Sequence, residues 1–203
     1  MIEQEIQRFQ DQIRFLIEMD KMKNIYRQTY VLSEDRHEND AEHAWHLAML
    51  AIVLHEYANE KVDLTKVLKT VLIHDVVEID AGDTYAYDTA GYASKAEREQ
   101  KAADRLFGLL PADQRDEMRV LWEEFEAGST PEARFAASLD KIQPLMLNYS
   151  KQGKSWAEHG VIAEQVRDRM QSVFEGSETL GCFAEQIIAR AISEGILPES
   201  KND

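Results

Sequence analysis

Ionisable side chains cluster in one short stretch, residues 74–83, which directly follows a strongly apolar run. The stretch reads His-Asp-Val-Val-Glu-Ile-Asp-Ala-Gly-Asp. Because residues three and four positions apart share a helix face, a helix here would direct His74, Asp75 and Glu78 toward one place. An imidazole and two carboxylates at the rim of a core are costly unless a cation compensates them. The stretch therefore predicts a metal site.

Two more ionisable residues lie beside predicted buried faces elsewhere in the chain. His43 lies in the first turn of a helix with an apolar stripe over residues 47–58, and Asp140 flanks another stripe over residues 135–146. Together with His74 and Asp75 they would give two imidazoles and two carboxylates. Such a set suits Mn, Fe, Co, Zn or Mg, with positions left for water and substrate. The alternative is that these are separate surface or capping residues, and spacing alone leaves both open.

Helical periodicity dominates the first eighty residues. Apolar residues recur at helical spacing over residues 2–19, which predicts an amphipathic helix that faces the core. Residues 20–39 break this pattern and are expected to form a structured loop. A capping signature at Asn39 opens the next helix. A further helix is expected to begin near Asp63 and to end at about Ile79.

Helical periodicity continues through the second half of the chain. Ser94 is expected to cap one helix and Thr130 another, and Pro144 is expected to kink or shorten the latter. Apolar spacing predicts one helix over residues 161–174 and a last one over residues 183–192. We find no useful alternating strand pattern, no repeat and no interdomain linker. The predicted fold class is all-α.

Length and composition favour one domain, residues 1–203, with a substantial core: 44% of the residues are hydrophobic and 30% are charged. The apolar runs are shorter than a membrane span, and the N-terminus lacks the regions of a signal peptide. The single cysteine, Cys182, excludes an internal disulfide and favours a reducing cytoplasm. A net charge of −15 argues against extended contact with nucleic acid, and an anionic substrate would need a local cation.

Four short segments resemble the HD-domain hydrolase superfamily: Ala-Glu-His at 41–43, His-Asp-Val-Val-Glu at 74–78, Gly-Asp at 82–83 and Leu-Asp-Lys at 139–141. Within it they resemble the 5′-deoxynucleotidase branch, all-α enzymes that remove phosphate from deoxyribonucleoside monophosphates. The similarity runs over roughly residues 15–150, and helices over residues 155–195 are expected to pack on this part. The resemblance implies a single compact HD-domain helical bundle and a homodimer.

The same resemblance implies roles for individual residues. The ligands that it implies for one divalent metal are His43, His74, Asp75 and Asp140. It leaves the metal open among Mn, Co, Fe, Zn and Mg. It places Glu78 and Asp83 in the catalytic machinery and implies that Arg27 contacts substrate phosphate. The best-known bacterial members have a tryptophan after this arginine, where this chain has Gln28. That difference lies in the region expected to bind substrate.

The implied function is release of phosphate from (deoxy)nucleoside 5′-monophosphates by water that a metal activates. Glu78 would position or deprotonate this water, and Asp83 would orient it or protonate the leaving oxygen. Arg27 would bind the non-bridging oxygens. The sequence shows no motif for a nucleophilic serine or cysteine and no glycine-rich phosphate loop, which favours direct attack by water.

Two other functions stay open. One is an HD-type phosphohydrolase that acts on a triphosphate, a cyclic nucleotide or a (p)ppGpp-like molecule. The other is a metal-binding regulatory protein without catalysis, which the presence of Glu78 and Asp83 disfavours. The cations in the loop before the helix of His43 are few: Lys21, Lys23, Arg27 and Arg36. Because a triphosphate needs more positive charge than a monophosphate, this loop favours monophosphates.

Overall fold

The structure, a computed structural model, describes residues 2–87 and 94–200. Over these ranges the chain is helical apart from two short strands, so the predicted all-α class is confirmed. None of the helices in the described part of the chain combines the length and the apolar composition that crossing a bilayer requires.

The N-terminal part combines a long helix with a small hairpin. Helix α1 spans Ile2–Met19, and a 3-10 turn follows over Asp20–Asn24. Strands β1, Tyr26–Tyr30, and β2, His37–Asn39, pair in antiparallel orientation. The region predicted as a structured loop is therefore a turn and a hairpin, whose strands are too short to show an alternating pattern.

Helix α1 does not face the core as the sequence predicted. Phe15 is its one buried residue among those described. Six of its other apolar side chains are 38% to 73% exposed: Ile2, Ile6, Phe9, Ile13, Leu16 and Ile17. The helix is tied to the domain by polar contacts, including a 2.7 Å ion pair between Arg8 and Asp113. An apolar stripe predicts burial against some partner, and the partner of this stripe is not the chain's own core.

The middle part of the chain carries the first of the ionisable residues that are expected to bind metal. Helix α2, Asp40–Leu54, begins at the predicted capping box, in which the side chain of Asn39 accepts from the backbone N–H of Glu42. Helix α3, Leu64–Ile73, is followed by a turn and by the short helix α4, Glu78–Ala81.

The prediction of one continuous helix to Ile79 is wrong. After Ile73 the backbone hydrogen bonds shorten to three-residue spacing, with Val76 N–H on the Ile73 carbonyl and Glu78 N–H on the Asp75 carbonyl. This tighter turn buries Val76 and Val77 in the core while His74 and Asp75 remain together at its rim. The i, i+3 spacing of Asp75 and Glu78 thus brings the two carboxylates together through a turn.

Three longer helices follow: α5, Lys95–Phe107, α6, Ala112–Ala127, and α7, Pro131–Ser150. Ser94 does not cap α5 as predicted, and its hydroxyl instead accepts from Arg98 at 3.0 Å. Thr130 caps α7 as predicted. Of the two effects expected of Pro144, a kink or a shortening of α7, the shortening is wrong, because the helix continues to Ser150 despite the one backbone donor that proline lacks.

The C-terminal part consists of α8, Lys154–His159, α9, Ala163–Met170, α10, Val173–Gly176, and α11, Glu178–Ser193. The single helix predicted over residues 161–174 is therefore divided in two. The main core joins these helices to α2, α3 and α7. Its fully buried members include Leu47, Val71, Leu139, Val166 and Ala184. Burying such side chains stabilises the fold by roughly 1.5–3 kcal/mol each for the larger ones.

Candidate metal centre

The four residues expected to bind metal converge where α2, the end of α3 and α7 meet. His43 Nε2 lies 3.0 Å from Asp140 Oδ1 and 3.8 Å from Asp75 Oδ2. His74 Nε2 lies 3.1 Å from Asp75 Oδ2 and 3.7 Å from Asp140 Oδ1. Donors that share one ion with bonds of about 2.0–2.2 Å lie roughly 3 Å or slightly more from one another. The spacing of these four side chains fits a common cation.

The orientation of His74 also fits a metal ligand. Its Nδ1 lies 3.0 Å from the carbonyl oxygen of Val71, so Nδ1 carries the hydrogen and donates. This fixes the tautomer and leaves the lone pair of Nε2 directed into the centre. Nε2 is buried and, although Asp75 Oδ2 lies 3.1 Å away, it makes no hydrogen bond of good geometry in the described part of the chain. Because buried polar atoms normally have a partner, this nitrogen indicates a group that binds there.

His43 is held by a buried polar network that the sequence did not reveal. Its Nδ1 lies 3.1 Å from Gln143 Oε1, and Gln143 Nε2 donates to Glu38 Oε1 at 2.7 Å. All three residues are buried. A signal for Gln143 was available in retrospect, since it lies three positions after Asp140 on the same helix. Glu38 lies in β2, a strand too short to be predicted.

Glu78 and Asp83, the expected catalytic residues, lie in an acidic environment beside the four residues. Glu78 is buried, and oxygens of Asp40, Asp75 and Glu78 lie within 4.8 Å of one another. Burial, followed by the charges of Asp75 and Asp40, raises the pKa of Glu78 well above its ordinary value. Burial also raises the pKa of Asp83, which Arg27 partly opposes. Carboxyls with raised pKa values are suited to exchanging protons near neutral pH.

Asp40 is a further acidic residue that sequence reasoning missed. It is fully buried, and burial together with the charge of Asp75 raises its pKa to about 7. The sequence feature that could have indicated Asp40 is its position in the first turn of α2, three residues before His43.

Arg27 reaches the same centre from β1. Its Nη1 lies 2.7 Å from Asp75 Oδ2 and 3.4 Å from Asp40 Oδ1, and its Nη2 lies 3.7 Å from Asp140 Oδ1. One guanidinium therefore faces several carboxylates: Asp40, Asp75, Glu78, Asp83 and Asp140. Even with the carboxyls of raised pKa protonated in part, the centre has capacity for additional positive charge. This excess of negative charge is a further observation that fits a divalent cation.

An open cleft with about 70 Å³ of enclosed space adjoins the centre, and Arg27 and Asp83 both line it. Aromatic and apolar side chains form much of its wall: Tyr85, Tyr87, Pro144, Leu145, Trp156 and Met170. Two cations that sequence reasoning did not single out, Lys141 and Arg169, line it as well. The cleft thus combines flat apolar surface with positive charge, as binding of a nucleotide requires.

Comparison with known proteins gives consistent matches. The HD domain family matches residues 19–180. The 5′-deoxynucleotidase HDDC2 of Mus musculus is 27% identical over 90% of this chain and 85% of the mouse protein. The 5′-deoxynucleotidase hdd1 of Schizosaccharomyces pombe is 26% identical over 58% of this chain and 61% of the yeast protein. The crystal structure of a "predicted metal-dependent phosphohydrolase" from Magnetospirillum magnetotacticum MS-1 superimposes with a TM-score of 0.90 at 47% identity, covering 94% of this chain and 96% of that chain.

Proposed function

This chain belongs to the HD-domain family, and we propose that it is a metal-dependent phosphohydrolase that releases phosphate from (deoxy)nucleoside 5′-monophosphates. The observation that carries the proposal is the convergence of two histidines and two aspartates beside a cleft with apolar and cationic walls. The similarity to 5′-deoxynucleotidases over most of the chain supports the same substrate class. A purely structural metal site would not need the neighbouring acids or the cleft.

We propose four ligands for one divalent metal: His43, His74, Asp75 and Asp140. Their spacing and the unpartnered Nε2 of His74 support this assignment. Mixed imidazole and carboxylate donors suit Mn, Fe, Co, Zn or Mg. When bound, the metal would lower the pKa of a water molecule and neutralise charge on the phosphate.

The remaining steps belong to side chains of the protein. Glu78 would accept the proton of the attacking water, for which its raised pKa is suitable. Asp83, which lines the cleft, would orient the water or deliver a proton to the leaving 5′ oxygen. Arg27 would bind non-bridging phosphate oxygens in addition to the carboxylates that it now contacts.

A phosphate-release screen tests this proposal. The purified protein is assayed with Mn²⁺, Co²⁺, Mg²⁺, Zn²⁺ or Fe²⁺ on nucleoside and deoxynucleoside monophosphates, triphosphates and cyclic nucleotides. We expect metal-dependent release from the monophosphates, abolished by a chelator. Phosphate release only from triphosphates, or conversion of cyclic nucleotides to monophosphates seen by chromatography of the products, would assign another HD-type activity. No hydrolysis of any ester would favour a regulatory protein.

We also propose a homodimer in which α1 contributes to the interface. The exposed residues Ile2, Ile6, Phe9, Ile13 and Leu16 are spaced by four, three, four and three positions. This is the repeat by which helices pack along a seam. A contiguous apolar face of this kind is unusual on a monomer, and a second copy of α1 is the simplest matching surface.

Residues 1–203 are proposed to form a single HD domain located in the cytoplasm. The main core contains residues of α2, α3 and α7–α11, and a second buried cluster contains residues of α1, α5 and α6. Helix α3 contributes to both, with Val71 in the first and Ile73 in the second, which supports one unit. The single cysteine, Cys182, is exposed and has no disulfide partner, as is usual for proteins of a reducing compartment.

A further inference from the structure

Two cations in the cleft have no part in the mechanism above. Lys141 of α7 and Arg169 of α9 both line the cleft and are half-buried. Lys141 Nζ donates to the hydroxyl of Ser172. Within the described ranges, 2–87 and 94–200, neither cation has a carboxylate oxygen within 4.0 Å. Arg167, two residues before Arg169 on the same helix, does pair with an acid, Glu199, at 3.8 Å.

Because Lys141 and Arg169 line the same cleft, an anion bound there can contact both of them. In a chain with 38 acidic and 23 basic residues, two basic side chains that face a cleft without an acidic partner need another explanation. A lysine and an arginine together offer a point charge and a planar fork, which phosphate oxygens accept.

The position of this pair differs from that of Arg27. Lys141 follows Asp140 directly, but successive helical residues diverge by about 100° around the axis. Its side chain therefore leaves α7 away from the centre and contacts Ser172, just before α10. Arg27 instead contacts Asp75 and lies among the acids of the metal centre. The cleft thus has two cationic positions with different surroundings.

The acidic centre determines which phosphate the pair would bind. Phosphates joined in one 5′ chain are close neighbours, so a second phosphate of that chain would remain beside the carboxylates around Arg27 and be repelled. A phosphate attached elsewhere on the nucleoside, at the sugar 3′ position, is separated from the 5′ phosphate by the sugar. Such a phosphate is not confined to the carboxylates around Arg27, and the cleft that holds the nucleotide is also lined by Lys141 and Arg169.

We propose that Lys141 and Arg169 form a second phosphate subsite, which binds a 3′-phosphate of a nucleotide whose 5′-phosphate is at the metal centre. The substrate class would then include nucleoside 3′,5′-bisphosphates. This inference rests on the proposed function for the presence of a nucleotide in the cleft. It adds a recognition element that the hydrolytic reaction does not need.

Equilibrium dialysis with the metal-loaded protein tests the subsite without turnover. The ligands are a deoxynucleoside and its 3′-monophosphate, neither of which carries a 5′-phosphate. Measurements are made at about 0.15 M salt, where charges farther than roughly 8 Å are largely screened. We expect the 3′-phosphate to bind about tenfold or more tightly than the nucleoside, as for a charge-assisted contact. Lys141→Met and Arg169→Gln should each remove most of this gain.

Arg167→Gln is the matched control, because it removes the same charge from the same helix at a residue outside the cleft lining. Arg167→Gln should still bind the 3′-monophosphate more tightly than the nucleoside. Arg169→Lys keeps the charge and should retain part of this difference in affinity, which separates loss of contact from loss of folding. Equal binding of the deoxynucleoside and its 3′-monophosphate would overturn the subsite. So would an unchanged difference in affinity between these ligands in both Lys141→Met and Arg169→Gln.

A third ligand distinguishes the other source of a second phosphate. A contrary result is that the affinity of a methylene-bridged 5′-diphosphate analogue depends on Lys141 and Arg169 while that of the 3′-monophosphate does not. In that case the two cations bind a second phosphate of the 5′ chain, and the proposal is wrong. The dialysis result is independent of catalysis. A protein that hydrolyses no monophosphate but shows the 3′-phosphate gain contradicts the proposed function alone, and the reverse result contradicts the subsite alone.

Discussion

The Nδ1 nitrogen of His43 lies 3.1 Å from the Oε1 oxygen of Gln143, and both side chains are fully buried. Because the amide oxygen can only accept, Nδ1 donates, and the lone pair of Nε2 is directed toward Asp140. Gln143 is fixed in turn by its bond to Glu38. The imidazole is therefore oriented for metal binding before any metal arrives.

The first prediction follows from this contact. Gln143→Met, which keeps the volume and removes the acceptor, should weaken metal binding by roughly 10- to 100-fold, the usual effect of losing a partner of a ligating histidine. Competition with a chelator measures the affinity. Gln114→Met, which removes a glutamine bonded to Gln12 far from the centre, is the control. Unchanged affinity in Gln143→Met would show that the network does not orient His43.

The second prediction concerns the ligands themselves. Alanine at His43, His74, Asp75 or Asp140 should lower the metal content measured by elemental analysis, since each change removes one donor. Asp80→Ala, which removes a carboxylate paired with Arg105 on the surface, should leave it unchanged. A metal ion present at 100 times its Kd stabilises the folded protein by about 2.7 kcal/mol. A chelator should therefore lower the Tm of the wild type and of Asp80→Ala more than that of the ligand variants. Full occupancy in Asp140→Ala would remove Asp140 from the ligand set.

The third prediction separates chemistry from binding. Glu78→Gln should retain metal and fold and lose roughly 10²-fold or more in kcat, the usual scale for a positioned acid or base. The amide has nearly the same shape and cannot accept a proton at neutral pH. Steady-state kinetics on protein of measured metal content give the result. Near-normal turnover by a fully loaded Glu78→Gln protein would exclude the assigned role.

Helical periodicity was sufficient to predict that His43, His74, Asp75 and Asp140 lie beside buried faces, and the family resemblance assigned them to one site. The structure brings them together, His43 and Asp140 from the predicted helices and His74 and Asp75 from the turn after α3. Periodicity did not predict the turn after Ile73, because its apolar residues also fit a continuing helix.

Other features depend on tertiary contacts that one sequence does not encode locally. Lys141 and Arg169 come from separate helices, and only the packing of α7 against α9 and α10 places both in one cleft.

The apolar stripe of α1 shows a different limit of prediction from sequence. An apolar face has the same spacing whether it packs in the chain's own core or against another molecule, so the sequence predicted the helix correctly and its partner wrongly.

The fourth prediction tests the proposed interface. Phe9→Glu introduces a charge at a residue that is 61% exposed in the single chain, so it should convert a dimer to monomers with little loss of monomer stability. Sedimentation velocity measures the mass. Gln10→Glu, an exposed change next to it outside the apolar spacing, is the control. A dimer that persists in Phe9→Glu would place the interface elsewhere.

The last prediction concerns the number of phosphates at the 5′ position. Of the lysines and arginines between α1 and α2, Lys21 pairs with Glu18 at 2.7 Å, and Arg36 pairs with Glu42 at 2.6 Å. Lys23 pairs with Asp20, whereas Arg27 contacts the metal centre. One arginine and one divalent metal match the two charges of a phosphate monoester, and the surrounding carboxylates repel a longer chain.

We therefore expect kcat/KM for a deoxynucleoside 5′-monophosphate to exceed that for its triphosphate by roughly 10²-fold, the effect of leaving two or more charged contacts unmade. Arg27→Ala should raise KM if its contact is equal in the ground and transition states, and should also lower kcat if the contact tightens in the transition state. Arg36→Ala, which removes a surface arginine of the same hairpin, should change neither parameter. Faster cleavage of the triphosphate would show that the cleft supplies the additional charge, and would assign this chain to the triphosphate-cleaving HD enzymes.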